Sequence, residues 1–375
     1  MKVLMLSTSF PRWNGDYYAR GVYELSKLLV KKGVSVKVLA PHAKDAKIYE
    51  VLDGIEIYRF RYFFFENLAY NNGLYKNFKR LDNLLVLPIF MFFFFINALR
   101  LSKDVDVINA HWTVAGLIGG IVKIFNKKRL ILTVRGSDLR EIPLPITKLI
   151  FKQIDHVIAV APEMVDLAKQ FNKPITEIQN TIDSSKFNKN ANPEKIKKEF
   201  NIKHSAVTLV ARLYWFKDPL TFIEAMPYVK SKVTFLVVGD GEQIQQIKSR
   251  TKELNLKNVI ITGPRSDINE IYAASEVILG ISVVENVWSN TIVEAIMMAK
   301  SCILTDVGYT SKVFTHMKNA YIIQPKNPKI LAKAIDYLLK NKKIRIKLGE
   351  DALKLSKIFD EDYIFNQTIK IYKKD

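Results

Sequence analysis

The chain has 375 residues, 49% hydrophobic and 25% charged, the balance of a folded globular protein; this excludes a disordered or low-complexity chain. A single cysteine, Cys302, excludes an internal disulfide and a cysteine-built metal site, and it fits a reducing, cytoplasmic compartment. Lys and Arg outnumber Asp and Glu by 57 to 37, a net charge of +20 that draws a protein toward nucleic acid, anionic headgroups or phosphorylated small molecules, although a Lys-rich surface accounts for it equally well.

At roughly 150 residues per domain the length predicts two or three domains. The first apolar run, Val3–Leu6, is stopped by Ser7-Thr8-Ser9 and Pro11; it is too short for a signal segment and reads as a buried strand. A helix follows over Val22–Lys32, with apolar Leu25, Leu28 and Leu29 and a terminating Gly33, then a strand over Ser35–Leu39. Arg59–Phe65 interleaves two arginines with aromatic residues at no regular period, which suits an anionic membrane surface. Leu84–Ile96 is continuously apolar, but as a helix it spans only about 20 Å, short of a ~30 Å hydrocarbon core. It reads as a buried helix rather than a membrane contact, with Lys76, Lys79 and Arg80 before it and Arg100 and Lys103 after it. Strands over Val107–Ala110, Leu130–Val134 and Val157–Val160 complete a strand–helix alternation that implies a parallel sheet covered on both faces.

The pattern restarts after residue 185, with strands over Val207–Ala211, Val233–Val238, Val259–Ile261, Val277–Leu279, Cys302–Leu304 and Ala320–Ile323. Between the two sets lie Asn180-Thr181-Ile182-Asp183 and then the polar stretch Asn188–Lys198, which reads as the inter-domain linker. The expected architecture is α/β: two Rossmann-like domains, 1–183 and 184–359, facing each other across a cleft, with ligands at the carboxyl ends of the strands. A closing helix at about 360–375 is expected to return to the first domain.

Three segments carry chemistry. In the first, Arg212 and Lys217 lie between a strand end and a helix start at Asp218-Pro219. Fixed cations beside the positive end of a helix suit a diphosphate. In the second, Gly239-Asp240-Gly241 directly follows a strand; the spacing is short of a dinucleotide fingerprint and reads as a tight turn. The third runs from Ser282 through Glu285 and an N-cap at Ser289 or Asn290 to a helix carrying Thr291 and Glu294 and reaching Lys300. Carboxylates there can accept two hydrogen bonds from sugar or ribose hydroxyls.

These segments, in this order and spacing, resemble the retaining glycosyltransferases of family 4, which have the GT-B fold. The likeness covers nearly the whole chain. It includes Ser9-Phe10-Pro11 with Gly15-Asp16 and Arg20-Gly21, then Asn109-Ala110-His111-Trp112, and Thr133 through Asp138. It continues through Val157–Ala161, Asn180–Phe187, Arg212 with Lys217, Gly239-Asp240-Gly241, the paired Glu285 and Glu294, and Thr305-Asp306-Val307-Gly308. There are departures from the family pattern. The paired glutamates are nine steps apart instead of eight, Arg135 stands where the family has histidine, and Thr181 and Tyr309 replace glycines. Lys312 stands near the place of a usual glutamate.

The resemblance implies sugar transfer from a nucleotide-diphosphate sugar to a hydroxyl acceptor; the Arg59–Phe65 stretch and the net charge of +20 favour a lipid-linked or cell-surface glycan precursor as that acceptor. It implies Arg212, Lys217, Glu285 and His111 as catalytic residues. Glu294, Gly15, Asn290, Thr291, Gly239 and Gly241 would bind donor, and Gly21, Arg135 and Asp138 would lie on the acceptor side. No cofactor or metal would be needed and no nucleic acid bound; the enzyme would be cytoplasmic, at the inner face of an anionic membrane. The rivals are an epimerase of the same fold and a non-catalytic membrane- or polyanion-binding protein.

Overall fold

The computed structural model describes residues 1–13, 16, 18–62, 70, 86–136, 139, 142–182, 186–187, 189–284 and 287–373. Gly15, Asp138 and Glu285 lie outside them, as do residues 63–65, Lys76, Lys79, Arg80, Leu84 and the junction residues Asp183, Ser184, Ser185 and Asn188. The chain divides into two compact units, residues 1–182 with 359–375, and residues 183–358.

The first unit is built on β1 (Lys2–Ser7), β2 (Ser35–Pro41), β3 (Tyr49–Leu52), β4 (Ile55–Phe60), β5 (Val107–His111), β6 (Arg129–Val134), β7 (His156–Ala159) and β8 (Ile175–Glu177). They form one sheet in the order β3-β4-β2-β1-β5-β6-β7-β8, parallel except for the β3–β4 hairpin at one edge. The central strands are apolar on both faces because helices cover both faces. Helices Val86–Leu101, Thr113–Asn126 and Leu144–Gln153 enclose one core with Leu4, Leu6 and Leu132; Arg20–Lys31 and the C-terminal Glu361–Lys373 enclose the other with Val3, Met5 and Ile131.

The second unit contains β9 (Ser205–Val210), β10 (Val233–Val238), β11 (Val259–Gly263), β12 (Val277–Gly280), β13 (Ser301–Thr305) and β14 (Tyr321–Ile323), all parallel, in the order β11-β10-β9-β12-β13-β14. This is the doubly wound order in which the winding reverses between the first and fourth strands, here β9 and β12, opening a crevice at their carboxyl ends. In the first unit the reversal falls between β1 and β5.

Three local expectations are corrected. The described part of Arg59–Phe65 is largely interior: Arg59, Phe60 and Tyr62 are buried, and Arg59 donates to the Pro11 and Lys47 carbonyls and pairs with Glu50 at 2.7 Å. Conversely, the apolar helix Val86–Leu101 buries Phe90 and Phe94 but exposes Phe92, Phe93 and Ile96, so it is buried on one side only. The polar stretch Asn188–Lys198 runs into a helix, Glu194–Glu199, whose Ile196 is fully buried against Leu236 and Ile271. One apolar residue in a charged run was too weak a periodic signal to show this.

Candidate functional site

The second unit concentrates the donor-side candidates at the β9–β12 reversal. β9 ends at Val210, and a short loop with a 3-10 turn over Trp215–Lys217 leads to the helix Pro219–Ala225. Arg212 is exposed and Lys217 half-buried. Burial, and secondarily the Arg212 guanidinium, push the Lys217 ammonium down to about 8. Two like charges are thus held near each other with partial loss of water, an arrangement that an anion between them would relieve. Asp218 is the N-cap residue, as its type suggests, but its backbone is left-handed (φ 50°, ψ 41°), and its Oδ2 is buried without a hydrogen-bond partner.

The loop is fixed from two sides. Gly239 and Gly241 lie directly on it. A Cβ at Gly239 would meet the Ala211 carbonyl oxygen at 1.9 Å, and one at Gly241 would meet the Leu213 backbone at 2.6 Å. Leu213 N–H donates to the Asp240 carbonyl at 2.8 Å, and Gln243 N–H to the Leu213 carbonyl at 3.0 Å. Both glycines therefore act on the strand turn that carries Arg212. From the other side, the Phe216 carbonyl accepts from Ser282 Oγ at 2.6 Å and from Val283 N–H at 3.0 Å. Ser282 in turn exchanges bonds with Thr305 Oγ1 at the end of β13, donating its N–H and accepting the hydroxyl proton at its carbonyl, both at 2.8 Å. Ser282 and Thr305 are buried and tie three strand ends into one frame around Lys217. Sequence reasoning quoted both residues but assigned them no role, because the pairing is set by which strands are neighbours.

Helix Asn290–Met297 starts beside the same strand end, with Ser289 at its N-cap position. Thr291 Oγ1 donates to the Val210 carbonyl at 3.0 Å, two residues before Arg212. Glu294 Oε2 accepts from the phenol of Tyr272 at 2.9 Å. Tyr272 is fully enclosed, and burial and then Glu294 raise its pKa well above the ordinary value, so it remains a donor and sets the carboxylate's direction. Asn290 is exposed in the first helical position. Gly280, behind this helix, leaves no space for a Cβ, which would sit 2.1 Å from Ile292 Cδ1. Tyr272 was also missed from the sequence: it lies 22 positions from Glu294 with no motif linking them.

In the first unit, Arg135 follows β6 and gathers several acceptor-side candidates. Its Nε donates to His111 Nδ1 at 3.3 Å, Nη2 donates to the Gly21 carbonyl at 3.3 Å, and Nη1 donates to Asn180 Oδ1. A Cβ at Gly21 would meet Arg135 Nη1 at 2.6 Å, so a larger residue there would push the guanidinium aside. Trp112, held at φ 68°, places its ring 5.9 Å from the guanidinium. His111 was expected to act in catalysis. It has no exposed surface: Nε2 lies 3.3 Å from Met5 Sδ, and burial together with Arg135 lowers its pKa far below 6.5. A neutral ring accepting at Nδ1 holds the Arg135 guanidinium in place. Asn109, in the same motif, donates to the buried Tyr372 phenol at 2.5 Å and accepts from Thr133 Oγ1 at 2.9 Å, docking the C-terminal helix beneath the strands.

Among the described residues, no group of three His, Cys, Asp or Glu side chains is arranged to hold a metal ion, and no helix is long and apolar enough to cross a membrane.

Comparison with known proteins converges on one family. Residues 204–341 match the family described as glycosyl transferases group 1, and residues 18–186 match glycosyltransferase family 4. The chain is 24% identical over 367 residues to an uncharacterized glycosyltransferase of Methanocaldococcus jannaschii, covering 90% of this chain and 88% of that one. It is 25% identical over 296 residues to an Escherichia coli UDP-Gal:alpha-D-GlcNAc-diphosphoundecaprenol alpha-1,3-galactosyltransferase, covering 70% and 71% of the two chains. Anabaena HepE, solved with UDP-glucose, superposes with a TM-score of 0.76 at 18% identity over 99% of this chain and 98% of its own.

Proposed function

The chain belongs to the group 1, family 4 glycosyltransferases, enzymes of the GT-B fold that move sugar from a nucleotide sugar, and we propose that it transfers with retention to a lipid-linked glycan precursor. The observation that carries the donor side of this reading is the crowding of Arg212 and Lys217 at the carboxyl end of β9. Fixed positive charge there would hold the donor diphosphate and take up the charge that grows on it as the glycosidic bond breaks, an electrostatic contribution that needs no reorganisation. With two side-chain cations in that role, turnover would need no metal. Glu294, oriented by Tyr272, would accept from the ribose hydroxyls. Glu285 would bind sugar hydroxyls, and Asn290, Thr291 and Gly15 would shape the donor pocket. The acceptor would attack from the leaving-group face, so no protein nucleophile is assigned; Gly21, Arg135 and Asp138 would border it.

A lipid-linked acceptor is supported by two relatives whose names specify one. These are the E. coli galactosyltransferase and a Campylobacter jejuni N,N'-diacetylbacillosaminyl-diphospho-undecaprenol alpha-1,3-N-acetylgalactosaminyltransferase, 27% identical over 176 residues. The net charge of +20 suits work beside an anionic bilayer at the inner face of the cell membrane.

Thermal unfolding with UDP, GDP and ADP tests the donor assignment. A nucleotide that binds only the folded state at 100 times its dissociation constant adds about 2.7 kcal/mol of stability. A shift with one base supports the reading and names the donor class; no shift with any contradicts it. Turnover with the matching nucleotide sugar in excess chelator should persist, and the product anomer should keep the donor configuration by NMR. Conversion of the nucleotide sugar without acceptor would instead indicate an epimerase.

A further inference from the structure

One face of the first unit presents apolar side chains to solvent where polar ones belong. Helices Val86–Leu101, Thr113–Asn126 and Leu144–Gln153 lie side by side in one layer, their inner sides filling a common core through Phe90, Phe94, Ile118, Val122 and Phe151. A helix in such a layer normally carries charged residues outward. Here Phe92 is 59% exposed and Phe93 stands beside it in edge contact; Ile124 and Phe125 are 62% and 65% exposed on the next helix, and Leu149 is 59% exposed on the third, with Leu144 and Ile146. Phe95 and Phe125, 5.8 Å apart, join the first two patches.

The charges on this layer have one sign. None of the three helices contains an Asp or Glu, while they carry Arg100, Lys123, Lys148 and Lys152, with Lys103, Lys127 and Lys128 just beyond their ends. The nearby acids are engaged, Asp104 with Lys37 at 2.8 Å and Asp155 with Lys123 at 2.5 Å. The opposite face differs: there the helices Arg20–Lys31 and Glu361–Lys373 meet through Lys31–Glu361 and Lys32–Asp362 pairs.

We propose that this face is the docking surface for an anionic lipid bilayer. Phe92, Phe93, Ile124, Phe125 and Leu149 enter the headgroup–acyl boundary, and the surrounding lysines and arginine meet lipid phosphates. A second copy of the chain fits less well, since it would bring two basic faces together in a protein already at +20. The surface deepens the reading of a membrane-bound acceptor, yet its test needs neither donor nor acceptor.

The intact protein is centrifuged with phosphatidylglycerol–phosphatidylcholine vesicles and with phosphatidylcholine vesicles, at low and high salt. The wild type should sediment with the anionic vesicles and be released partly by salt. Ile124→Ser with Phe125→Ser, and separately Lys148→Glu with Lys152→Glu, should each lower partition at least tenfold. Both doublets should keep the wild type's far-UV circular dichroism and cooperative thermal unfolding, which shows that they are folded. Indifference of the wild type to anionic vesicles would overturn the proposal. So would doublets that bind like the wild type, or a concentration-dependent dimer that the same substitutions abolish. Failure of nucleotide binding would contradict the transferase reading without touching this one.

Discussion

Lys217 carries an energetic signature that can be measured directly. Burial and Arg212 hold its ammonium at about 8 in the folded protein, against an ordinary value of 10.5. Between those values the folded state binds fewer protons than the unfolded one, so this group's contribution makes stability rise with pH through that window and subtracts from it below pH 8. Lys217→Met should therefore raise the apo protein's stability by about 1 kcal/mol, ~2 °C in Tm, while nearly abolishing turnover. A diphosphate against the ammonium restores its proton affinity. UDP binding at pH 9 should accordingly take up a proton and weaken as pH rises from 7 to 9, measurable by calorimetry in buffers of different ionisation enthalpy. Tyr272→Phe removes the donor that aims Glu294. It should raise KM for the donor sugar several-fold with a smaller change in kcat, checked by steady-state kinetics. At this scale the sequence was partly legible. Arg212, Lys217 and Glu294 could be placed because each follows a recognisable strand end or helix start. Ser282, Thr305 and Tyr272 could not, because their partners come from strand order. The enclosure of His111 was hidden for a related reason: a motif gives its neighbourhood, but the enclosing groups are Met5 on β1 and Arg135 just after β6.

Among the elements, the glycine turn after β10 has a definite mechanical role. Gly239, at φ 127° and with the Ala211 carbonyl where a Cβ would be, lets two strand ends touch so that the Arg212 loop is set by its neighbour. Gly239→Ala should cost about 1–3 kcal/mol or more in chemical unfolding and reduce activity beyond what the stability loss explains. The C-terminal helix is likewise held by specific contacts. Tyr372→Phe would leave the enclosed Asn109 amide without its acceptor, at a cost of about 1–3 kcal/mol by the same measurement. The central strands were readable because strands buried on both faces are continuous apolar runs. The edge strands β3 and β8 were not: each is short and lacks a buried face, without that signature. The helix Val86–Leu101 was found, but uniform apolarity conceals which side faces the core, and the exposed side became visible only with its neighbours in place.

For the whole molecule, two units with the same winding order place their strand-reversal points at β1–β5 and β9–β12, and the donor-side candidates gather at the second. The charge of +20 belongs to this scale too; Arg212 and Lys217 and the cations of the apolar helical face contribute to it. The central claim is that Arg212 and Lys217 read the donor diphosphate. It is tested most directly by comparing the affinities of UDP and UMP, or of the base selected by the thermal screen, for the wild type, Arg212→Ala and Lys217→Ala. The wild type should prefer the diphosphate by roughly tenfold or more, about 1.4 kcal/mol, and each variant should lose most of that preference while still binding the monophosphate. An unchanged preference in both variants would contradict the account, since the phosphate would then be held by other residues.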